Sequence, residues 1–415
     1  MMNTETNNKK VGWMTIFSVV AVWFGAHAGG GFASGNQEMN FFVQYGWPAL
    51  ITPVISMVVL AIIYRIIVMM CNQHNANHYR AWADQLYAPH QKVISPVYEV
   101  CNLGAGMLAT SASVAGAAAI INQQLGLNYM LSVTILTIAI VILSMFGAKL
   151  ISQASSVLVI LIMISVLVIS VVGLAKGGWH IAVDIQNHYA PKGVAPAIWK
   201  SITYASFQIF SLLGTYGVCC QLRSEKNCNR AAAMGFVINA AMLALLSILI
   251  LAYRTSVATS TLPILDICKS LNYPILTFLY EVSLFCAFIS TAVSVVFGTV
   301  MRFEKFHLKF KLSRNIWNAI VGLIVVAISM FAASFGLTAI VAVGYNYLGV
   351  IGIFLVAIPA IIAGTKKIKA FKASGKRLGS EVAAEMVTAG KADSIDVVSE
   401  ADIEAYETGE NLTQA

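Results

Sequence analysis

The sequence is short of charge: Asp, Glu, Lys and Arg supply 11% of its 415 residues, whereas 58% are hydrophobic. That balance fits no soluble globular class, and the mean hydropathy of +0.77 agrees. A HExxH zinc motif and a GxSxG nucleophile elbow are both missing, and scattered carboxylates alone do not make an active site, so an intramembrane enzyme is not expected. The seven cysteines lie mostly inside apolar runs or at their ends and suggest no disulfide framework. The formal net charge of +8 is not gathered with aromatics on one soluble face, which argues against a nucleic-acid partner.

What the chain has instead is a succession of apolar stretches. Ten can be read, approximately Val11–Gln44, Trp47–Cys71, Val93–Gln124, Tyr129–Gly147, Leu150–Lys176, Ala195–Leu222, Arg230–Tyr253, Pro274–Phe303, Asn315–Ala333 and Leu337–Ala363. Each is long enough to cross a hydrocarbon core of roughly 30 Å as a helix, so the expected fold class is an all-α integral membrane protein with the lipid bilayer as its solvent. The first stretch runs past the length of a signal-peptide core into Glu38 and Asn40 and is expected to stay in the mature protein.

Basic residues set the orientation. Lys9, Lys10, Arg80, Lys92, Lys149, Arg223, Lys226, Arg230 and the clusters Arg302–Arg314 and Lys366–Arg377 fall on one side of the expected spans; Lys176, Lys192, Arg254 and Lys269 fall on the other. The reading is a bacterial inner-membrane protein with both termini in the cytoplasm. It divides into a cytoplasmic N-terminus (1–10), a first five-helix unit (11–176), an external loop (177–194), a second five-helix unit (195–363) and a tail (364–415). The tail turns basic and then acidic, the composition of a largely disordered segment.

The two units share a pattern. Tyr98-Glu99-Val100 recurs as Tyr280-Glu281-Val282, and the same offset pairs Ala105 with Ala287, Val114 with Val296, Gly116 with Gly298 and Gly35 with Gly217. A five-helix unit repeated once must cross the membrane in opposite senses, which is the inverted-repeat plan of many secondary transporters.

Within this plan three stretches stand out. Helix 1 carries Gly25, Ala28, Gly29, Gly30 and Gly31, too much glycine for a regular helix, and a break there exposes backbone amides to a carboxylate and carbonyls to a cation. Close packing through small residues is the plainer alternative. Helix 6 has its own polar interruption, with Gln208, Ser211 and Thr215 as solute contacts or bundle hydrogen bonds and Phe210 and Tyr216 as pocket walls or packing. On helix 8 the spacing of Ala287, Ser290 and Thr291 puts one carbonyl and two hydroxyls on one face, a set of hard oxygen ligands or simply hydroxyls bonded to their own helix. Ionisable groups inside a membrane are often functional: His27 and Glu38 adjoin the glycine break, Glu281 lies outward of Ser290, and Glu99 reads as an interfacial or ion-paired residue.

These features resemble the leucine-transporter (LeuT) fold of the amino acid–polyamine–cation superfamily. The run Gly29-Gly30-Gly31-Phe32-Ala33-Ser34-Gly35-Asn36-Gln37-Glu38 is similar to the glycine-rich segment of bacterial YkvI-type membrane proteins. The resemblance covers roughly Val11 to Ala363. It implies a second-sodium-site set of Gly25, Ala28, Ala287, Ser290 and Thr291 and a substrate-carboxylate cradle at Gly29 and Gly31. Phe32 stands where sodium-coupled amino acid transporters carry an asparagine, which does not support a second, carboxylate-linked ion. The expected function is alternating-access transport of a small solute, most simply an amino acid, with sodium preferred to the proton as coupling ion and no other cofactor. A solute receptor of the same fold that signals without net transport is the rival.

Overall fold

The computed structural model describes residues 11–146, 148–303 and 313–408. The expected N-terminal segment 1–10, most of the basic Arg302–Arg314 cluster and the end of the tail lie outside them.

The first half opens with a helix in three pieces. α1 (Trp13–His27) ends where Gly29 turns extended at φ −64° and ψ 176°, α2 (Gly30–Ala33) is a single turn, and α3 (Asn36–Phe41) begins after Gly35. Gly35 has a φ of +82°, where a side chain would be strained and where a Cβ would also lie 2.8 Å from Ile250 and Ile264. α4 (Thr52–His74) ends on Asn75 in the left-handed conformation, which asparagine tolerates. α5 (Tyr79–Tyr87), α6 (Gln91–Leu125), α7 (Tyr129–Phe146), α8 (Ala148–Gly177) and the short α9 (Trp179–Gln186) complete this half. The segment 177–194, expected as a loop, is thus helical over much of its length.

The second half also opens on an interrupted helix. α10 (Val194–Gln208) passes into a 3-10 turn at Ile209–Ser211, a short α11 (Leu213–Tyr216) and a second 3-10 turn at Cys219–Leu222. α12 (Glu225–Ala252) starts on a Ser224 hydroxyl that accepts from the Asn227 amide. α13 (Arg254–Val257), α14 (Pro263–Ser270), α15 (Pro274–Phe303) and α16 (Arg314–Ala333) follow. α17 (Leu337–Ala339), α18 (Asn346–Gly352) and α19 (Thr365–Ala373) lie in one continuous run of 37 residues, joined by π-wound turns. Gly349 and Gly352 let this run press on α10: a Cβ at either would come within 2.6 Å of a backbone carbonyl, that of Thr203 or of Ser206.

No strand occurs among the described residues, and seven of their helices are long and apolar enough to cross a membrane. The other three expected spans are the two interrupted helices, whose pieces fall below span length, and α7, whose described apolar part is shorter. Side chains such as Ile135, Ile138, Ile142, Ile164 and Val171 on α7 and α8, and Leu323 and Phe331 on α16, are exposed, as lipid-facing positions are.

The tail departs from expectation. Residues 379–408 are not disordered: α20 (Gly379–Thr388) and α21 (Glu400–Thr408) bury Val382, Ala383, Met386, Val398 and Ile403 in a small core of their own. Acidic composition concealed an apolar face at helical spacing. The unit docks on the end of α4: Asn75 donates to the Ile395 and Val398 carbonyls, Ser380 donates to Asn72 Oδ1 at 2.7 Å, and His74 lies 2.8 Å from Glu400. This end of the bundle is the tail side. The opposite end, where Arg254 donates to both oxygens of the buried Asp184 at 2.6 Å, is the far side.

Candidate solute and ion site

The glycine break works because nothing on the break residues blocks approach. Phe288 of α15 fills the space beside Gly30 and Gly116: a Cβ on either glycine would sit 2.2 Å from its ring. A Cβ on Gly31 would meet the Gln37 side-chain amide at 2.6 Å. The break therefore packs against α15 and α6 through bare backbone. Where α1 stops, its last carbonyls and the first N–H groups of α2 have no helical successor or predecessor to bond.

These groups open into a cavity of about 660 Å³, a volume in the range of small-molecule sites. Gly25, Ala28, Gly29, Gly30 and Gly31 line it, facing Ala287, Ser290 and Thr291 across it, with Gln208, Phe210 and Ser211 on another wall. The Thr291 hydroxyl lies 4.0 Å from where a Gly29 Cβ would be, so the break and the hydroxyl face are neighbours. Ser290 donates to the Ala287 carbonyl at 3.1 Å, the plain intrahelical use, which leaves its oxygen lone pairs facing the cavity-lining set. The cavity follows α6 from Ser113 to Asn102 and α15 from Ala287 to Arg302, which at 1.5 Å per residue is roughly 20 Å of path toward the tail side.

Four candidates, Thr215, Tyr216, Glu281 and Glu38, fall elsewhere. Thr215 and Tyr216 are buried but do not line the cavity; Tyr216 belongs to an aromatic cluster with Trp82 and Tyr98. In the one-turn α11 Leu213 and Gly214 stay on the cavity wall beside Phe210 and Ser211, and Thr215 and Tyr216 fall on the opposite face. Glu281 is half-buried on α15 and lines no part of the cavity. Glu99 is ion-paired, with Arg80 at 2.7 Å.

His27 borders the cavity and sits in a hydrogen-bond network whose protons can be placed. Asn239 donates to the Gly235 carbonyl at 2.8 Å, so its oxygen faces His27 Nδ1 at 2.7 Å and must accept from it. His27 Nε2 lies 3.0 Å from the Tyr204 hydroxyl, which has a second acceptor in Gln37 Oε1 at 3.2 Å and accepts from Gln208 at 3.0 Å. A neutral imidazole takes the Tyr204 proton at Nε2 when Gln37 Oε1 accepts from Gln208 at 3.4 Å instead. Glu38 is also fully buried, but neither of its carboxyl oxygens reaches a hydrogen-bond partner.

Sequence reading missed Gln37, Tyr204, Asn239, Asn102 and Ser113. Mid-helix amides such as Asn239 and Asn102 in apolar surroundings were the available signal. Tyr204 looked like any aromatic in a span.

The far side is shut. The Ile264 amide donates to the Ser34 carbonyl at 3.2 Å, Asn36 donates to the Thr261 carbonyl at 2.9 Å and to the Thr338 hydroxyl at 3.0 Å, and the Tyr280 hydroxyl donates to the Ala33 carbonyl. α14 thus rests on the second bend of the broken helix.

No family model matches the chain, and no curated protein matches it in sequence. Solved structures do. MhsT in complex with L-phenylalanine aligns over 89% of this chain and 90% of its own at 18% identity and a TM-score of 0.57. The inward facing conformation of Mhp1 aligns over 81% of this chain and 73% of its own at 12% identity and a TM-score of 0.59. A Na+-coupled sialic acid symporter, substrate-bound and outward-open, aligns over 92% and 84% at 11% identity and a TM-score of 0.54. Identities this low establish architecture alone: the chain is a multi-pass membrane protein with the fold of LeuT-type transporters.

Proposed function

We propose that this protein is a secondary transporter that moves a small carboxylate-bearing solute, most simply an amino acid, by alternating access coupled to sodium. In this reading ten spans form a five-plus-five inverted repeat in a bacterial inner membrane with both termini cytoplasmic, so the tail side faces the cytoplasm. The observation that carries it is the single cavity shared by the helix-1 break and the Ala287, Ser290 and Thr291 face, which reaches toward one side of the membrane only. Unbonded amides at Gly29, Gly30 and Gly31 suit a carboxylate, and carbonyls of Gly25, Ala28 and Ala287 with the two hydroxyls suit sodium. The side chains along the wall are mostly apolar or neutral and polar, with Arg302 only at the tail-side limit, which favours a solute of no net charge. The fold neighbours include a protein bound to L-phenylalanine and a Na+-coupled symporter, which supports the same reading.

Purified protein in proteoliposomes should take up an amino acid down an imposed sodium gradient and exchange it in counterflow. A thermal-shift screen with sodium present and absent identifies the solute, because binding to the folded state raises the melting temperature. Binding without counterflow selects the receptor reading, for which the tail docked on the end of α4 supplies a cytoplasmic element.

A further inference from the structure

We infer that Glu38 is a proton-binding site that must be protonated before the far side of the transporter can close. The inference rests on the transport reading and adds a proton to the sodium site without replacing it.

Glu38 lies on α3, the short helix that carries the far-side seal. Two residues before it, Asn36 makes the bonds to Thr261 and Thr338; three before it, Gly35 packs under Ile250 and Ile264. The side chain is 0% exposed and both oxygens are unpartnered. No element packed against α3 forms an ion pair with it among the described residues. From α10 Glu38 faces Tyr204, whose hydroxyl is committed to the His27, Gln37 and Gln208 network, and from α15 it faces Tyr280, whose proton goes to the Ala33 carbonyl. The π-wound turn before α18 offers Tyr345, the turn after α3 offers Tyr45, and α12 offers the neutral Asn239. His27 is satisfied as a neutral ring. Lys200, one turn from Tyr204 on α10, is held at 2.6 Å by Asn346 and lies over the Phe41 ring, and no ion pair involves Glu38 among the described residues.

A carboxylate cannot be buried without a cation or hydrogen-bond donors, whereas the neutral acid can. When the far side is open, α3 is parted from α14 and Glu38 is wetted and ionised. Closure then requires one event: a carboxylate oxygen takes a proton from hydronium on that side, whose O–H bond breaks to leave a neutral water. The neutral acid is buried, and charge on Glu38 opposes the closed state. Glu38 is therefore a gate that reads external pH, and the Tyr204 hydroxyl beside it lies between this gate and the cavity-facing His27.

The test is infrared spectroscopy of the full chain in nanodiscs at neutral pH, with protons as the only added ligand. A protonated-carboxyl band is expected in the wild type, retained in Glu281→Gln and lost in Glu38→Gln. Should the glutamine variant fail to fold, Glu38→Asp should shift the band rather than remove it. A companion measurement compares hydrogen exchange of residues 259–271 in wild type and Glu38→Gln at matched pH, where the intrinsic rate cancels. Wild type should exchange severalfold faster than Glu38→Gln at alkaline pH and equally at acidic pH. Identical spectra in wild type and Glu38→Gln, or equal exchange at every pH, would overturn the proposal. The band does not depend on transport: its absence alongside sodium-driven uptake removes the proton site alone, and its presence without counterflow removes transport alone.

Discussion

Under the proposed repeat the two ends of the bundle are built from matching pieces, and they differ in state. Tyr98 and Tyr280 are counterparts under the proposed repeat, and the same offset of 182 residues takes Ser34 to Tyr216. On the far side Tyr280 ties α15 to the broken helix 1 at Ala33; on the tail side Tyr98 meets Tyr216 of the broken helix 6 at 3.3 Å. Each half thus contributes one tyrosine that pins the other half's discontinuous helix. The difference lies in helix 1: α2 packs on α15 and α6, whereas α1 packs on α12 and α11. Its two pieces contact different partners, so one end is sealed and the cavity runs toward the other. A break is a hinge only if its pieces have separate partners, and here they do.

The largest effects are expected where that hinge is filled. Gly30→Leu drives a side chain into Phe288 and should abolish solute binding, read as loss of the solute-induced melting shift, with overpacking that costs about 1–3 kcal/mol of stability. Normal uptake by this variant and by Gly31→Leu would remove the carboxylate cradle.

On the far side, Arg254→Ala leaves Asp184 buried without its partner, a loss on the order of 3 kcal/mol that should appear as a lowered melting temperature. Arg254→Lys should recover part of it, because a single ammonium replaces two parallel hydrogen bonds.

Ser290→Ala with Thr291→Ala should weaken sodium activation by about 1–3 kcal/mol per lost contact while solute affinity without sodium changes little. Sodium activation that survives the pair unchanged would assign the coupling elsewhere. A smaller loss, about 1 kcal/mol, is expected for Tyr280→Phe, and it should raise hydrogen exchange in α2 and α14 without affecting the tail.

The weakest link is the tail. His74 beside Glu400 holds that carboxyl below the usual glutamate range, helped by Gln85. A depressed carboxylate contributes stability that is present above its unfolded value, about 4.3, and lost as pH falls through the folded value. Docking should therefore loosen as the pH falls into the acid range, and His74→Ala should loosen it at neutral pH by about 0.2–1 kcal/mol, since Glu400 is largely exposed. Limited proteolysis between α19 and α20 reports either change. Equal cleavage of wild type and His74→Ala at every pH would show that Asn72 and Asn75 hold the tail unaided.

Much of the site was legible because it rests on local properties of the chain. Three consecutive glycines cannot sustain a helix well, and the break falls at Ala28 and Gly29. The hydroxyl face on α15 follows from helical spacing alone and does reach the cavity. For Thr215 and Tyr216 the sequence left contact and packing open, and the structure puts both off the cavity, Tyr216 against Trp82 and Tyr98. The tail was misread because charge was counted and the spacing of Val382 and Met386 was not.

By itself, then, the sequence determined the solvent, most span positions and the places where helices must break, all of which follow from composition and backbone propensity within a few turns. Tertiary structure alone decided that His27, Tyr204 and Asn239 meet, although up to 212 positions separate them. It also decided which end of the cavity is shut and that Glu38 is left without a partner. Those outcomes depend on how each helix is rotated and which helix it packs against, and no local property of a chain encodes either.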